Sequence, residues 1–311
     1  VVGGGAAGIM AALEARKSGA SVCLLEKNER LGKKILISGG GKCNITNESI
    51  TLDRYHGTHP RFAQDALRSF SNTDLRNWLS SIGVETELDE ETGKVWPVAR
   101  MSKAVLTALE RTLAEAGVEV HTVRSVQRAS KRGDGRFEVL TRQGYTYTCR
   151  ALVMASGGRA APHLGADESG LRVAEHFGHT LVEQFPALVG LETGTPWTHE
   201  LAGLTCEDVV LTLTVDGRDI MEVEGSLLFT HYGVNSPAVF RLSREATPAL
   251  AANKRVVLHV NFIPELAQDI EQVRLLLREQ LGGNTKMRAT NVVNDIVGYG
   301  RLADALIAQA G

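Results

Sequence analysis

Apolar and polar positions follow two alternating rhythms over the first part of the chain. A stub, Val1-Val2, runs into a glycine turn, and the pattern behind it predicts a helix over 6–18 that Gly19 ends. Residues 21–25 (SVCLL) then read as a strand. Helices are expected over 61–70 and 73–82; in the second, Leu75, Trp78, Leu79 and Ile82 recur at helical spacing behind Thr73 as N-cap. A short extended piece at 93–97 precedes a helix over 102–116, with Val105, Leu106, Leu109 and Leu113 on one face. Gly117 closes that helix and Val118-Glu119-Val120 starts a strand. Segments 123–129, 136–141 and 145–148, separated by Gly133-Asp134-Gly135 and Gln143-Gly144, read as an antiparallel meander. Residues 151–158 (ALVMASGG) predict a buried strand that returns to the parallel sheet and ends in a glycine turn. A helix to about 177 follows, closed by Gly178-His179.

The texture changes after Phe185-Pro186. Apolar stretches at 188–191, 209–215, 220–223 and 227–229 suggest a β-rich unit. A helix is expected from 238, with Ser236 as N-cap and Pro237 at its first position, then a strand over 256–260. From Pro264 the pattern is helical through Leu266, Ile270, Val273, Leu277 and Leu281, and again over 301–310. The resulting fold class is α/β: a Rossmann-like domain over 1–186 with a parallel sheet and a small meander, then a second domain. That second domain divides into a β-rich part, 187–262, and a helical part, 263–311.

Length and charge narrow this further. A chain of 311 residues has room for about two domains. Its 34 basic and 36 acidic residues leave a net charge of −2, which gives no whole-chain attraction to nucleic acid. No apolar run approaches the roughly 18 residues of a membrane span. Cys23, Cys43, Cys149 and Cys206 are widely separated with no C-x-x-C. That spacing speaks against a structural zinc site, a disulfide scaffold or a dithiol reductase, and suits a reducing, cytoplasmic setting. No metal is expected.

The chemistry concentrates at the start. Gly3, Gly5 and Gly8 stand in G-x-G-x-x-G register between a strand stub and a helix opening at Ala6-Ala7. In such a unit the first glycine turns the chain, the second admits a pyrophosphate, and the third lets helix and strand pack closely. The helix N-terminus faces the phosphates. Glu26, at the end of the second strand with Lys27 beside it, is placed to accept hydrogen bonds from a ribose diol. These residues point to an adenine dinucleotide and leave NAD and FAD open. Ser38-Gly39-Gly40-Gly41-Lys42-Cys43-Asn44 forms a loop in which backbone amides can approach a flat ligand.

Five blocks carry a resemblance to a known family. They are Gly3 to Gly8 with Glu26; SGGGKCNITN from Ser38; GKVWPVARMSKAVL from Gly93; Ala155 to Val189; and LFTHYGVNSPAVFRL from Leu228. Together they resemble the BaiN/YhiN-like flavoproteins, also described as the aminoacetone oxidase family or NAD(P)/FAD-dependent oxidoreductases. The resemblance implies an FAD-binding domain into which a β-rich and helical substrate domain is inserted. It implies that Gly3, Gly5, Ala6, Ala7 and Gly8 hold the pyrophosphate, that Glu26 and Lys27 flank the adenosine ribose, and that Val120 lies by the adenine. Ser38 to Asn44 would pass near the isoalloxazine, and Ala155, Ser156, Gly157 and Gly158 would form the second FAD motif. Lys33, Lys34 and Lys42 would meet phosphate or flavin oxygens, or remain ordinary surface lysines.

The implied activity is hydride transfer through flavin N5 to an unsaturated or carbonyl small molecule, or to oxygen. Without a second G-x-G-x-x-G, NAD(P)H would visit as a transient reductant. His231 and Tyr232 are candidates for proton transfer, against a purely structural role in a capped turn; His179 reads as a helix cap and Cys43 as a packing residue. The chain departs from the family pattern at Ala166-Asp167-Glu168-Ser169-Gly170 and at Asn235-Ser236-Pro237. Family members also continue beyond the segment seen here, so the chain is expected to be a fragment that holds FAD weakly. A tRNA-modifying flavoprotein and a truncated chain without activity of its own are the alternatives. The sequence assigns neither a substrate nor an oligomeric state.

Overall fold

The computed structural model describes residues 1–283 and 287–310. Contacts divide the chain into two units, Val1–Leu181 and Val182–Gly311.

In the first unit, strand Cys23–Leu25 pairs in parallel with Glu119–His121, Cys23 opposite Glu119 and Leu25 opposite His121. Val2 bridges Leu25 on one side and Met154 on the other, both in parallel. Side chains alternate across this sheet. Leu24 joins one core with Ile9 and Leu13 of helix Ala6–Lys17 and Val105, Leu109 and Leu113 of helix Ser102–Glu115. Leu25 and Val2 join another on the opposite face, with Val126, Ala129, Val139 and Val173. Val126 to Val139 belong to the meander Val126–Lys131, Phe137–Thr141, Thr146–Cys149, which forms an antiparallel sheet in that order.

The expected buried strand over 151–158 shrinks to its contact with Val2. Val2 donates to the Val153 carbonyl at 2.9 Å and accepts from the Ala155 N–H at 2.8 Å. Gly3 then turns away at φ +106, and Val153 is 41% exposed. Two further details differ from expectation. The cap of helix Asn72–Ser81 is Ser71 rather than Thr73, because Asp74 completes a reciprocal box: Ser71 Oγ accepts from the Asp74 N–H at 3.1 Å and Asp74 Oδ2 from the Ser71 N–H at 2.8 Å. The apolar run before the glycine loop forms a short helix, Lys33–Ile37.

The second unit is built on a sheet of five antiparallel strands among the described residues. Their order is Val256–Asn261, Thr205–Val215, Arg218–Thr230, Gly233–Asn235, Leu191–Glu192. Asp216 and Gly217, both at positive φ, make the tight hairpin between the long strands. The separate stretches expected at 220–223 and 227–229 are one strand, since pairing continues through Gly225 opposite Val209. Helix Pro237–Ala251 covers the sheet with Val239, Leu242 and Ala246, and Ser236 Oγ caps it by accepting from the Val239 N–H at 3.1 Å. Helices Ile270–Gly283, Ala289–Val297 and Gly300–Ala310 follow; the pattern does not predict the middle one. Helix begins at Ile270 rather than at Pro264. Within the stretch expected to be helical, residues 284–286 and 311 lie outside the described residues. No helix among the described residues is long and apolar enough to cross a membrane.

The thiols of Cys23, Cys43, Cys149 and Cys206 are all free. Burial raises the pKa of each, that of Cys206 to about 11, with the Glu207 charge adding to the effect.

Candidate dinucleotide site

The glycine motif builds the site by close packing. A Cβ on Gly3 would strike the Ala155 carbonyl, and one on Gly8 would strike the Gly3 carbonyl oxygen. Both contacts hold the turn, the helix and the 155–157 segment together. Gly5 is different: a Cβ there would meet no atom within 4 Å. It caps helix Ala6–Lys17 at φ −84, with no side-chain cap and no acid in the first turn. Hence no side chain competes for the leading N–H groups at the positive end of the helix dipole, an arrangement suited to an anion.

Those groups face a cavity of about 280 Å³. Gly3, Gly5, Ala6 and Ala7 line it together with Ala155, Ser156 and Gly157, which come from about 150 residues further along the chain. Lys33 and Lys34, on the short helix, add positive charge to the wall. Glu26 also lines it, only 7% exposed, at the end of its strand. Its Oε2 accepts from the Gly4 N–H at 2.7 Å, while Oε1 accepts from the Asn28 N–H and Nδ2, each at 2.7 Å. A carboxylate has about four acceptor positions, so these three bonds leave about one for a ligand donor.

The rim is tied by residues outside the glycine motif. Lys27 Nζ reaches Asp167 Oδ2 at 2.8 Å. Burial opposes ionisation of Asp167, but hydrogen bonds from Lys27 and Ser169 outweigh it and bring the pKa down to about 2. Gly165 sits against the Asn28 side chain and Gly170 against Ser156, leaving no room for a Cβ at either. The segment that departs from the family pattern therefore forms part of the wall, with Ala166, Ser169 and Gly170 in it.

Other expected residues lie elsewhere. Ser38, Gly39, Gly40, Gly41, Lys42, Cys43 and Asn44 are not among the cavity's lining residues. Gly39 and Gly40 take left-handed φ values of +57 and +65 in a tight turn. Gly39 packs on the Trp96 ring, and Cys43 is buried in the core beneath. Gly8, Val120, Gly158 and Lys42 are likewise absent from the wall; Val120 is 37% exposed. His179 donates its N–H to the Ala174 carbonyl at 3.1 Å and closes helix Ser169–His176. His231 and Tyr232 belong to the second unit, at the turn between its third and fourth strands, with rings edge to face at 5.1 Å. Asn235 Nδ2 donates to Tyr232 Oη at 2.8 Å.

Asn28, Arg124 and Val126 also line the cavity near Glu26 and were not singled out from sequence. Asn28 carried a signal, since an asparagine two residues after a carboxylate is positioned for a local hydrogen bond. Arg124 carried none.

The parallel sheet, the glycine turn and the acidic strand end define a Rossmann-type α/β protein. A family model described as the HI0933-like protein Rossmann domain matches residues 1–283, and the chain belongs to that family. The membership expected from the five sequence blocks, and the α/β class, both hold. A 3-dehydro-bile acid delta(4,6)-reductase of Clostridium scindens is 34% identical over 277 residues, 88% of this chain and 66% of that protein. A ribosomal RNA dihydrouridine synthase of Haemophilus influenzae is 29% identical over 277 residues, 86% of this chain and 66% of that protein. The chain thus spans slightly less than two thirds of the length of either relative. Among solved structures, the open conformation of a flavocytochrome c3 fumarate reductase is 20% identical with a TM-score of 0.42, over 66% of this chain and 46% of that one.

Proposed function

We propose that this chain is the dinucleotide-binding part of an FAD-dependent oxidoreductase acting on a carbon–carbon double bond conjugated to a carbonyl. The observation that carries the reading is the convergence of Gly5, the uncapped helix start, Glu26 and Gly157 on one cavity. In this reading the N–H groups at Ala6 and Ala7 bind the pyrophosphate, Lys33 and Lys34 balance its charge, and Glu26 accepts one ribose hydroxyl. The Ser38 to Asn44 loop and the 155–158 turn are proposed for the flavin side. FAD, when bound, supplies hydride transfer at its isoalloxazine, with NAD(P)H as a transient reductant. His231 and Tyr232 are proposed to hold and deliver the accompanying proton; Asn235, by donating to Tyr232 Oη, leaves the phenol hydrogen free for that use.

The substrate class follows from what the relatives' names share. One names a 3-oxo steroid unsaturated at positions 4 and 6, the other the saturated form of uridine. Each change saturates a double bond conjugated with a carbonyl. The second name also supports another reading, in which the double bond is a uridine's within RNA. Both are tested by titrating the chain with FAD and following NADPH oxidation with an enone panel and, separately, with uridine-containing RNA. Saturable FAD binding that is weakened in Gly5→Asp is expected. FAD binding unaffected by Gly5→Asp would remove the assignment of this cavity, and turnover with RNA alone would favour the second reading.

A further inference from the structure

Arg124 is held more firmly than a surface arginine needs to be. Its guanidinium carbon lies 3.8 Å from the centroid of the Tyr145 ring. Nε donates to Tyr147 Oη at 3.2 Å, and Nη1 to the Val123 and Thr122 carbonyls at 3.1 and 3.3 Å. Its backbone is fixed as well. Arg124 donates its N–H to the Glu26 carbonyl at 2.8 Å and Val123 donates to the Asn28 carbonyl at 3.0 Å. Val123 makes that bond at φ +54, a conformation that a β-branched residue rarely adopts. The strained turn therefore joins Arg124 to the strand end that carries Glu26.

Tyr145 covers one face of the guanidinium, and Arg124 lines the cavity beside Glu26 and Val126. A planar cation, backed by an aromatic ring and next to a ribose acceptor, is a stacking platform for a flat base. The neighbouring Glu26 carboxylate makes the same place unfavourable for a second phosphate on the ribose. Resting on the dinucleotide reading above, we propose that Arg124 selects the purine base, which stacks on the guanidinium face opposite Tyr145.

Calorimetric titration of the chain with ADP and UDP tests this, since the two share ribose and diphosphate and differ in the base. Wild type is expected to prefer ADP. Arg124→Ala should weaken ADP binding roughly 3- to 30-fold, the range of a cation–π contact, and leave UDP binding nearly unchanged. Arg124→Lys, which keeps the charge and loses the plane, should lose the preference too. An unchanged ADP-to-UDP ratio in Arg124→Lys overturns the proposal, as does equal weakening of both nucleotides, which would assign Arg124 to phosphate charge or to the fold. If wild type binds neither nucleotide, the dinucleotide reading itself fails. Thermal melts of each variant accompany the titrations; if Arg124→Ala does not fold, the lysine variant decides.

Discussion

Gly5 and Gly8 are three positions apart and meet opposite demands. Gly8 has no room for a methyl group because the Gly3 carbonyl oxygen fills the space. Gly8→Ala is therefore expected to destabilise the first unit by about 1–3 kcal/mol, the usual cost of overpacking. Gly5 has φ −84 and open space around it. In Gly5→Ala the backbone-entropy gain and the loss of a better N-cap residue oppose each other, and stability should change by less than about 1 kcal/mol. Its methyl group would stand in the cavity, and FAD affinity should fall. Thermal melts combined with FAD titration check both; a Gly5→Ala protein that binds like wild type would contradict the assignment. The spacing of these glycines was legible in the sequence because it is the register of a strand–turn–helix unit, whatever each glycine then packs against. The partners of Glu26 were not, because a carboxylate pointing at a ribose and one holding Gly4 and Asn28 look alike in a sequence. The same limit moved the cap of one helix from Thr73 to Ser71: both are good cap residues, and the position of Asp74 decides between them.

At the scale of elements, the segment before helix Ser169–His176 is fixed to the end of strand Cys23–Leu25 by Lys27 and Asp167. The folded pKa of Asp167, about 2, lies below its ordinary 3.8. Its ionised form therefore stabilises the fold above the ordinary value, and the contribution disappears as pH falls through about 2. The Asp167 side chain is 48% exposed, so solvent limits the pair to about 1 kcal/mol or less. Asp167→Asn should melt slightly below wild type at pH 6, with the gap closing near pH 2. A gap that persists at pH 2 would trace the effect to something other than the charge. Elements built on strong periodicity, such as helices Ala6–Lys17 and Ser102–Glu115, were readable in advance. The strand expected over 151–158 is a single bridge from Met154 to Val2. Glycine misled in the other direction at Gly225, where a sheet continues through a residue that usually interrupts one.

For the molecule as a whole, the sequence carried the order of elements in the first unit and the mixed texture of the second. It also brought the 3–8 and 155–157 segments to one site, because a strand–glycine–helix unit admits few arrangements. It did not carry the course of the Ser38 to Asn44 loop. Three glycines permit many paths, and the path taken is chosen by Trp96, which Gly39 covers.

The four thiols hold a practical consequence. Burial raises the pKa of each and shields Cys43 and Cys206 from reagents, while Cys23 and Cys149 are only half-buried. At pH 7 the buried Cys43 and Cys206 should stay unlabelled by a maleimide and the half-buried Cys23 and Cys149 should react slowly. Phe62→Cys, at a position 92% exposed, should instead take up a dye within minutes, as mass spectrometry would show. A brief exposure to reagent would therefore place a fluorophore mainly at the introduced site, without first replacing the chain's own cysteines.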